Sequence, residues 1–316
     1  MSRQAYLIRE FLRRNNVKER GRDRSQLQRR AQDDFAMKAA IRAPRGTMME
    51  RDEAAGMDAL WVRAEAVPEE CTKTLLYFHG GAFYSGSSET HKGLAAAISE
   101  ASGLRALLVD YRMSPEHAYP AAHEDALAAY RWLLAQGVAP GDIALGGDSA
   151  GGNLVLSTLF SARDEGLPMP AAAVLLSPWL DVVDYAGDTH VSMQDDDPSI
   201  DLAALMADGK LYFGEEPDSS RIRLLERSMA GLPPLFIQTG ELEVLLSDSV
   251  TLAQRARADG VEATLQVWPE LWHVFQALTA ILPEARQAVG HIGEFLAKRL
   301  NVQRDPADGL IQPYYL

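Results

Sequence analysis

The feature that most constrains this chain is a regular alternation of two kinds of segment. Short apolar runs bounded by Gly, Pro or Asp fall at 75–78, 106–109, 143–145, 172–176, 235–238 and 264–268, the signature of strands buried on both faces. Between them lie helix-length stretches at 91–102, 121–136, 150–165 and 247–259, stopped by Gly103, Gly137, Gly166 and Gly260. Strand and helix in turn predict an α/β protein: a mostly parallel, twisted sheet with helices on both faces. In such a sheet the loops at the carboxyl ends of the strands build the functional site.

One interval is too long for a simple crossover. Between the strand ending near Ser177 and the one starting at Leu235, about fifty residues hold Asp195–Asp197, a helix-like 201–213 and a charged 221–227. It is expected to form a lid over the site, completed by N-terminal helices. The organisation expected is a helical cap segment over 1–45, a core over 46–180 and 231–300, a lid insertion over 181–230 and a tail over 301–316. In the first thirty residues ten Arg and Lys face three acidic residues, although the 316-residue chain carries a net charge of -13. Two readings follow: a basic amphipathic arm for an anionic membrane or partner, or an arginine-rich helix laid over an acidic body.

Composition removes several function classes. The overall acidity argues against nucleic-acid binding, and no apolar run approaches the 18 or so residues of a membrane span. A start reading MSRQAYLIRE is charged where a secretory signal would be apolar, and Cys71 has no second cysteine to pair with, so a reducing cytoplasm is expected. No metal site is expected, since H-E-x-x-H is absent and Asp195–Asp197 lacks a calcium-loop pattern; those three aspartates read as a solvated acidic loop. Phosphate-binding glycine motifs are missing too, and no cofactor is expected.

Chemistry enters at Gly147-Asp148-Ser149-Ala150-Gly151, a G-x-S-x-G placed where an apolar strand turns directly into a helix. Glycines permit the tight turn that presents the serine oxygen at the strand end, beside the positive pole of the helix. A second element agrees: His79-Gly80-Gly81-Ala82-Phe83 directly follows a strand, where such a hydrolase aims backbone amides at a developing oxyanion. Gly80, Gly81 and Ala150 are the donor candidates, and His79 is expected to brace the loop rather than to act as an acid or base. The remaining histidines, His91, His117, His123, His190 and His291, read as surface or loop residues.

These two blocks, with 110–122 (Asp-Tyr-Arg-Met-Ser-Pro-Glu-His-Ala-Tyr-Pro-Ala-Ala), resemble the bacterial hormone-sensitive-lipase-like carboxylesterases of the α/β-hydrolase superfamily. The resemblance runs from about residue 60 to 298 and implies that fold, a lid and esterase activity. It also puts Glu243, in Gly240-Glu241-Leu242-Glu243-Val244-Leu245, at the family's acid, and His273, in His273-Val274-Phe275, at its base. Glu243 stands where the family usually has Asp, and Glu241 and Asp248 are rivals. An apolar acyl pocket is suggested by Phe83, Tyr84, Met206, Tyr212 and Phe213, although the same residues suit core packing equally. The expected substrate is a carboxylic ester of small to medium acyl chain. Lactone or aryl formamide hydrolysis on the same residues, and a non-catalytic small-molecule receptor, are the alternatives, and a homodimer is left open.

Overall fold

A computed structural model describes residues 1–15, 17, 24–214, 219–303 and 314–315. The expected alternation is present as β3 (Thr74–Phe78), α3 (Ser88–Ser102), β4 (Arg105–Val109), α4 (Ala121–Ala135), β5 (Ile143–Asp148), α5 (Ala150–Asp164), β6 (Ala172–Leu176), β7 (Leu235–Gly240), α9 (Leu246–Ala258) and β8 (Ala263–Trp268). Strands β4, β3, β5, β6, β7 and β8 lie side by side in that order and run parallel. Residues alternate between the faces of a strand, so each strand feeds two cores. Leu76 and Phe78 of β3 join Leu145, Leu175 and Ile237 in one core, with Leu133 of α4, Leu154 of α5 and Leu252 of α9. Leu75 and Tyr77 join Leu108, Val174 and Phe236 in the other, with Leu94 and Ile98 of α3 and Ile292 and Leu296 of α10 (Pro283–Arg299). Helices therefore cover both faces.

Register places the site. Phe78 pairs with Gly147, Asp148 with Leu176, Leu176 with Gln238, and Gly240 with Trp268. The strands β3, β5, β6, β7 and β8 consequently end nearly in step, and the loops beginning at His79, Ser149, Ser177, Glu241 and Pro269 leave the sheet along one rim.

Three elements escape the apolar-run pattern. β1 (Met48–Ala54) and β2 (Met57–Arg63) form an antiparallel hairpin that joins β4 at one edge. β1 is exposed over its first six residues, so no apolar run marks it. At the other edge the short β9 (Tyr314–Tyr315) pairs antiparallel with β8; residues 304–313 and 316 of the tail lie outside the described residues.

The arginine-rich start follows the second reading. α1 (Arg3–Arg14) buries Ala5 and packs Ile8 and Leu12 against Trp272, Phe275 and Leu282, leaving Leu7 and Phe11 exposed. Arg9 pairs with Glu270 at 3.6 Å and Arg13 with Asp196 at 3.1 Å. From α2 (Gln26–Ala40), Arg29 grips Asp208 and Arg30 grips Glu116. Much of its charge is thus spent on acidic groups of the body; Lys18, Arg20 and Arg22 lie outside the described residues. Among the described residues no helix is long and apolar enough to cross a membrane.

Between β6 and β7 lie α6 (Asp188–Ser192), α7 (Leu202–Phe213) and α8 (Ser219–Ile222). Asp208 on α7 takes both Arg29 and Gln26, the latter at 3.0 Å, so α2 is tied to this segment.

α10 and α3 approach so closely that a Cβ on Gly293 would sit 2.2 Å from the Ala101 carbonyl oxygen. Gly293→Val is expected to lower stability by about 1–3 kcal/mol through overpacking. Urea unfolding reads the effect, and an unchanged midpoint would contradict this packing.

Candidate active site

Ser149 sits between the last residue of β5 and the first turn of α5, with φ 53° and ψ -119°. That left-handed, strained backbone is uncommon for a residue with a Cβ and is found where a fold holds a functional side chain in place. Its flanking glycines are demanded by contact. A Cβ on Gly147 would lie 2.5 Å from the Gly151 carbonyl, and one on Gly151 would lie 2.0 Å from the Phe78 oxygen. The Ser149 amide donates to Leu176 O at 2.9 Å, and its own carbonyl accepts from Gly152 and Trp179 at 3.0 and 3.1 Å, which pins the turn to the loop after β6. Ala150 opens α5, where backbone amides have no intrahelical acceptor.

Beneath the loop after β3, Asp148 is 3% exposed. It accepts the Tyr77 hydroxyl at 2.8 Å and the Gly80 amide at 3.1 Å, and lies 3.4 Å from the His91 ring. Burial works to raise its pKa, but His91 and the Tyr77 hydrogen bond outweigh it and hold the carboxyl below the usual range. The bond from Gly80 is a correction: this amide, expected among the oxyanion donors, is engaged by Asp148. Gly81, Ala82 and Phe83 follow with φ of 121°, 49° and 60°, and the Gly81 carbonyl accepts from Tyr84 and Ser85. His79 braces this loop as expected, its Nδ1 2.8 Å from Gly80 O and its ring stacked on Tyr111. Burial, reinforced by His91, pushes His79 down to about 3, so it is neutral at ordinary pH.

Across the rim, Glu243 is fully buried. Its Oε1 accepts the Ser177 hydroxyl at 2.7 Å and the Gly240 amide; its Oε2 lies 2.9 Å from Nδ1 of His273. The acid and histidine loops are stitched together by backbone bonds from Glu241 N to Trp268 O and from Leu242 N to Leu271 O, both 2.9 Å. Gly240 allows that approach, since a Cβ there would stand 2.3 Å from Leu271 O. Burial lowers the His273 pKa, but the hydrogen bond and charge of Glu243, with Asp197 and Asp148, prevail and raise it above the ordinary histidine value. An imidazole gripped at Nδ1 by a carboxylate has its other nitrogen left to accept a proton.

A model of the α/β-hydrolase fold matches residues 75–277. An acetyl-hydrolase of Streptomyces hygroscopicus is 41% identical over 239 residues, 75% of this chain and 79% of its own. A crystallised esterase of the bacterial hormone-sensitive lipase (HSL) family superposes with a TM-score of 0.88 at 38% identity, over 95% of this chain and 99% of that one. The chain belongs to the bacterial HSL family of α/β-hydrolases. An esterase of Acinetobacter venetianus is 34% identical over 74% of this chain and 78% of its own. This HSL-family protein is accordingly a carboxylesterase.

Several residues stand elsewhere than expected. Asp197 is not part of a solvated loop: it is fully buried and hydrogen-bonds the Val244 amide beside Glu243 at 3.1 Å. His91 and His190 are buried, the latter 3.1 Å from Asp248, because each answers a buried carboxylate. Asp248 itself accepts the Leu180 and Asp181 amides, whereas Glu241 receives Glu270 N at the rim. Phe83 and Tyr212 are fully buried and stack with centroids 4.3 Å apart; Phe213 meets Phe83 edge-on at 5.4 Å. Tyr84 lies under Arg29 at 4.5 Å, and Met206 is half-buried. Ser177, with φ 45°, was not foreseen: its hydroxyl donates to Glu243 and accepts the Val274 amide at 3.2 Å, and an ordinary Ser-Pro after a strand gives no signal of that.

The His273 imidazole is expected to titrate above about 6.5 and to move down in Glu243→Gln, read by NMR on histidine-labelled protein. A titration unmoved by the substitution would contradict the pairing.

Proposed function

We propose that this esterase cleaves carboxylic esters of small to medium acyl chain through an acyl-serine on Ser149, with His273 as general base and Glu243 as its orienting acid. The observation that carries the reading is the 2.9 Å contact of Glu243 with His273 Nδ1, which leaves Nε2 as the acceptor. Ser149 Oγ attacks the ester carbonyl carbon and its proton passes to His273 Nε2. The tetrahedral oxyanion is held by the amides of Gly81, Ala82 and Ala150. His273 then protonates the departing alkoxide, and water, deprotonated by the same imidazole, releases the acid.

Ala82 takes the place of Gly80 in this set because the Gly80 amide is bound to Asp148. Residues 181–230, with the cap of 1–45, act as the lid over the rim; Arg29 and Gln26 on Asp208 support that reading. A non-catalytic receptor has no use for an imidazole paired to a buried carboxylate. The similarity to an acetyl-hydrolase supports a short acyl chain.

Ser149→Ala is expected to lower kcat for p-nitrophenyl acetate by about a million-fold, and Glu243→Gln by about ten-thousand-fold. Retained turnover in Ser149→Ala would reject the assignment. Across p-nitrophenyl esters, acetate and butyrate are expected to be turned over faster than decanoate and laurate; the reverse order would reject the small-acyl reading.

A further inference from the structure

Asp197 reaches the acid loop from the segment between β6 and β7, forty-six positions before Glu243 in the chain. Its Oδ2 accepts the Val244 amide at 3.1 Å, so it holds the residue that immediately follows the acid. Its Oδ1 accepts the Ser199 amide and hydroxyl at 2.9 and 2.8 Å and the Ile200 amide at 3.0 Å. Four donors converge on a fully buried side chain, the surroundings an ionised carboxylate requires. Burial prevails and raises its pKa above the usual carboxylate value, with the charge of His273 the strongest influence against it.

We propose that Asp197 is a positioning residue of the esterase reaction, a carboxylate that fixes the acid loop from the lid side through Val244 and adds negative charge behind the Glu243–His273 pair. This rests on the assignment of Glu243 and His273 given above. Three carboxylates then act on the imidazole from three elements: Glu243 from the loop after β7, Asp148 from β5 and Asp197 from the segment between β6 and β7. Next to it Asp196 is spent on Arg13 of α1, at 3.1 Å and with its side chain 55% exposed, so it makes a natural control.

The sign follows from the charge. Removing a negative group near His273 makes the imidazolium less favourable, so the base loses its proton at lower pH, while the imidazolium formed during acyl transfer loses support. In Asp197→Asn the amide nitrogen would face either Val244 N or the Ser199–Ile200 donors, so one set of bonds is lost as well.

The experiment measures kcat, KM and the acid limb of kcat/KM for p-nitrophenyl acetate with the full chain. Asp197→Asn is expected to lower kcat by about 10- to 100-fold, the scale of a small misplacement in the site, with KM little changed and the acid midpoint moved down. Asp196→Asn is expected to match the wild type in all three. A folded Asp197→Asn protein with wild-type kcat and midpoint overturns the proposal, as does a protein merely less heat-stable with both unchanged. Should that variant not fold, Asp197→Glu, which keeps the charge on a longer arm, is expected to hold the midpoint and lower kcat, and wild-type kcat in it also overturns the proposal. Failure of the underlying triad shows separately, as turnover surviving Ser149→Ala.

Discussion

The whole rim is organised around one buried charge. Glu243 has no exposed surface, and a carboxylate removed from water is tolerated only when donors replace the hydration it gives up. Ser177 and Gly240 supply two, and His273 supplies the third. Each donor comes from a different strand end, so the need to satisfy one carboxylate draws the loops after β6, β7 and β8 together. Ser177 serves twice, since its hydroxyl also accepts Val274 N and ties the histidine loop to the same point.

A parallel sheet makes this convergence cheap. Because β3, β5, β6, β7 and β8 finish nearly in step, residues scattered from 79 to 273 emerge as neighbours without long excursions. Backbone strain falls on the loops of this rim, at Ala82, Phe83, Ser177 and Val274 as well as at the turn into α5. Ser149 keeps a positive φ there because Gly147 and Gly151 allow strand and helix to close on each other and because Leu176 and Trp179 hold the turn from outside. A second buried carboxylate, Asp148, performs the same service under the loop after β3, gathering Tyr77, His91 and the Gly80 amide.

What the sequence displays well is whatever depends on local pattern. Buried strands write continuous apolar runs, so β3 to β8 are visible, and G-x-S-x-G between a strand and a helix is visible for the same reason. β1 escapes because six of its seven residues face solvent, and pairing at an edge leaves no hydrophobic run. Polar residues are harder still. Nothing in Asp195-Asp196-Asp197 distinguishes the middle residue, 55% exposed beside Arg13, from the last, buried against Val244; the difference is made by a loop forty-six residues away. Gly80 misleads in the opposite way: its motif points to an amide aimed at substrate, and only the proximity of Asp148 shows where that amide is engaged. Ser177 and His190 belong with these, since contact with a remote carboxylate carries no periodicity.

On the proposed mechanism, one hydroxyl of this chain is made nucleophilic by a distant imidazole. A fluorophosphonate probe followed by peptide mapping tests it without reference to any substrate. One adduct, on Ser149, lost in His273→Ala and retained in the exposed-loop variant His117→Ala, is the predicted result. An unmodified Ser149, or labelling that persists when His273 is gone, would contradict it.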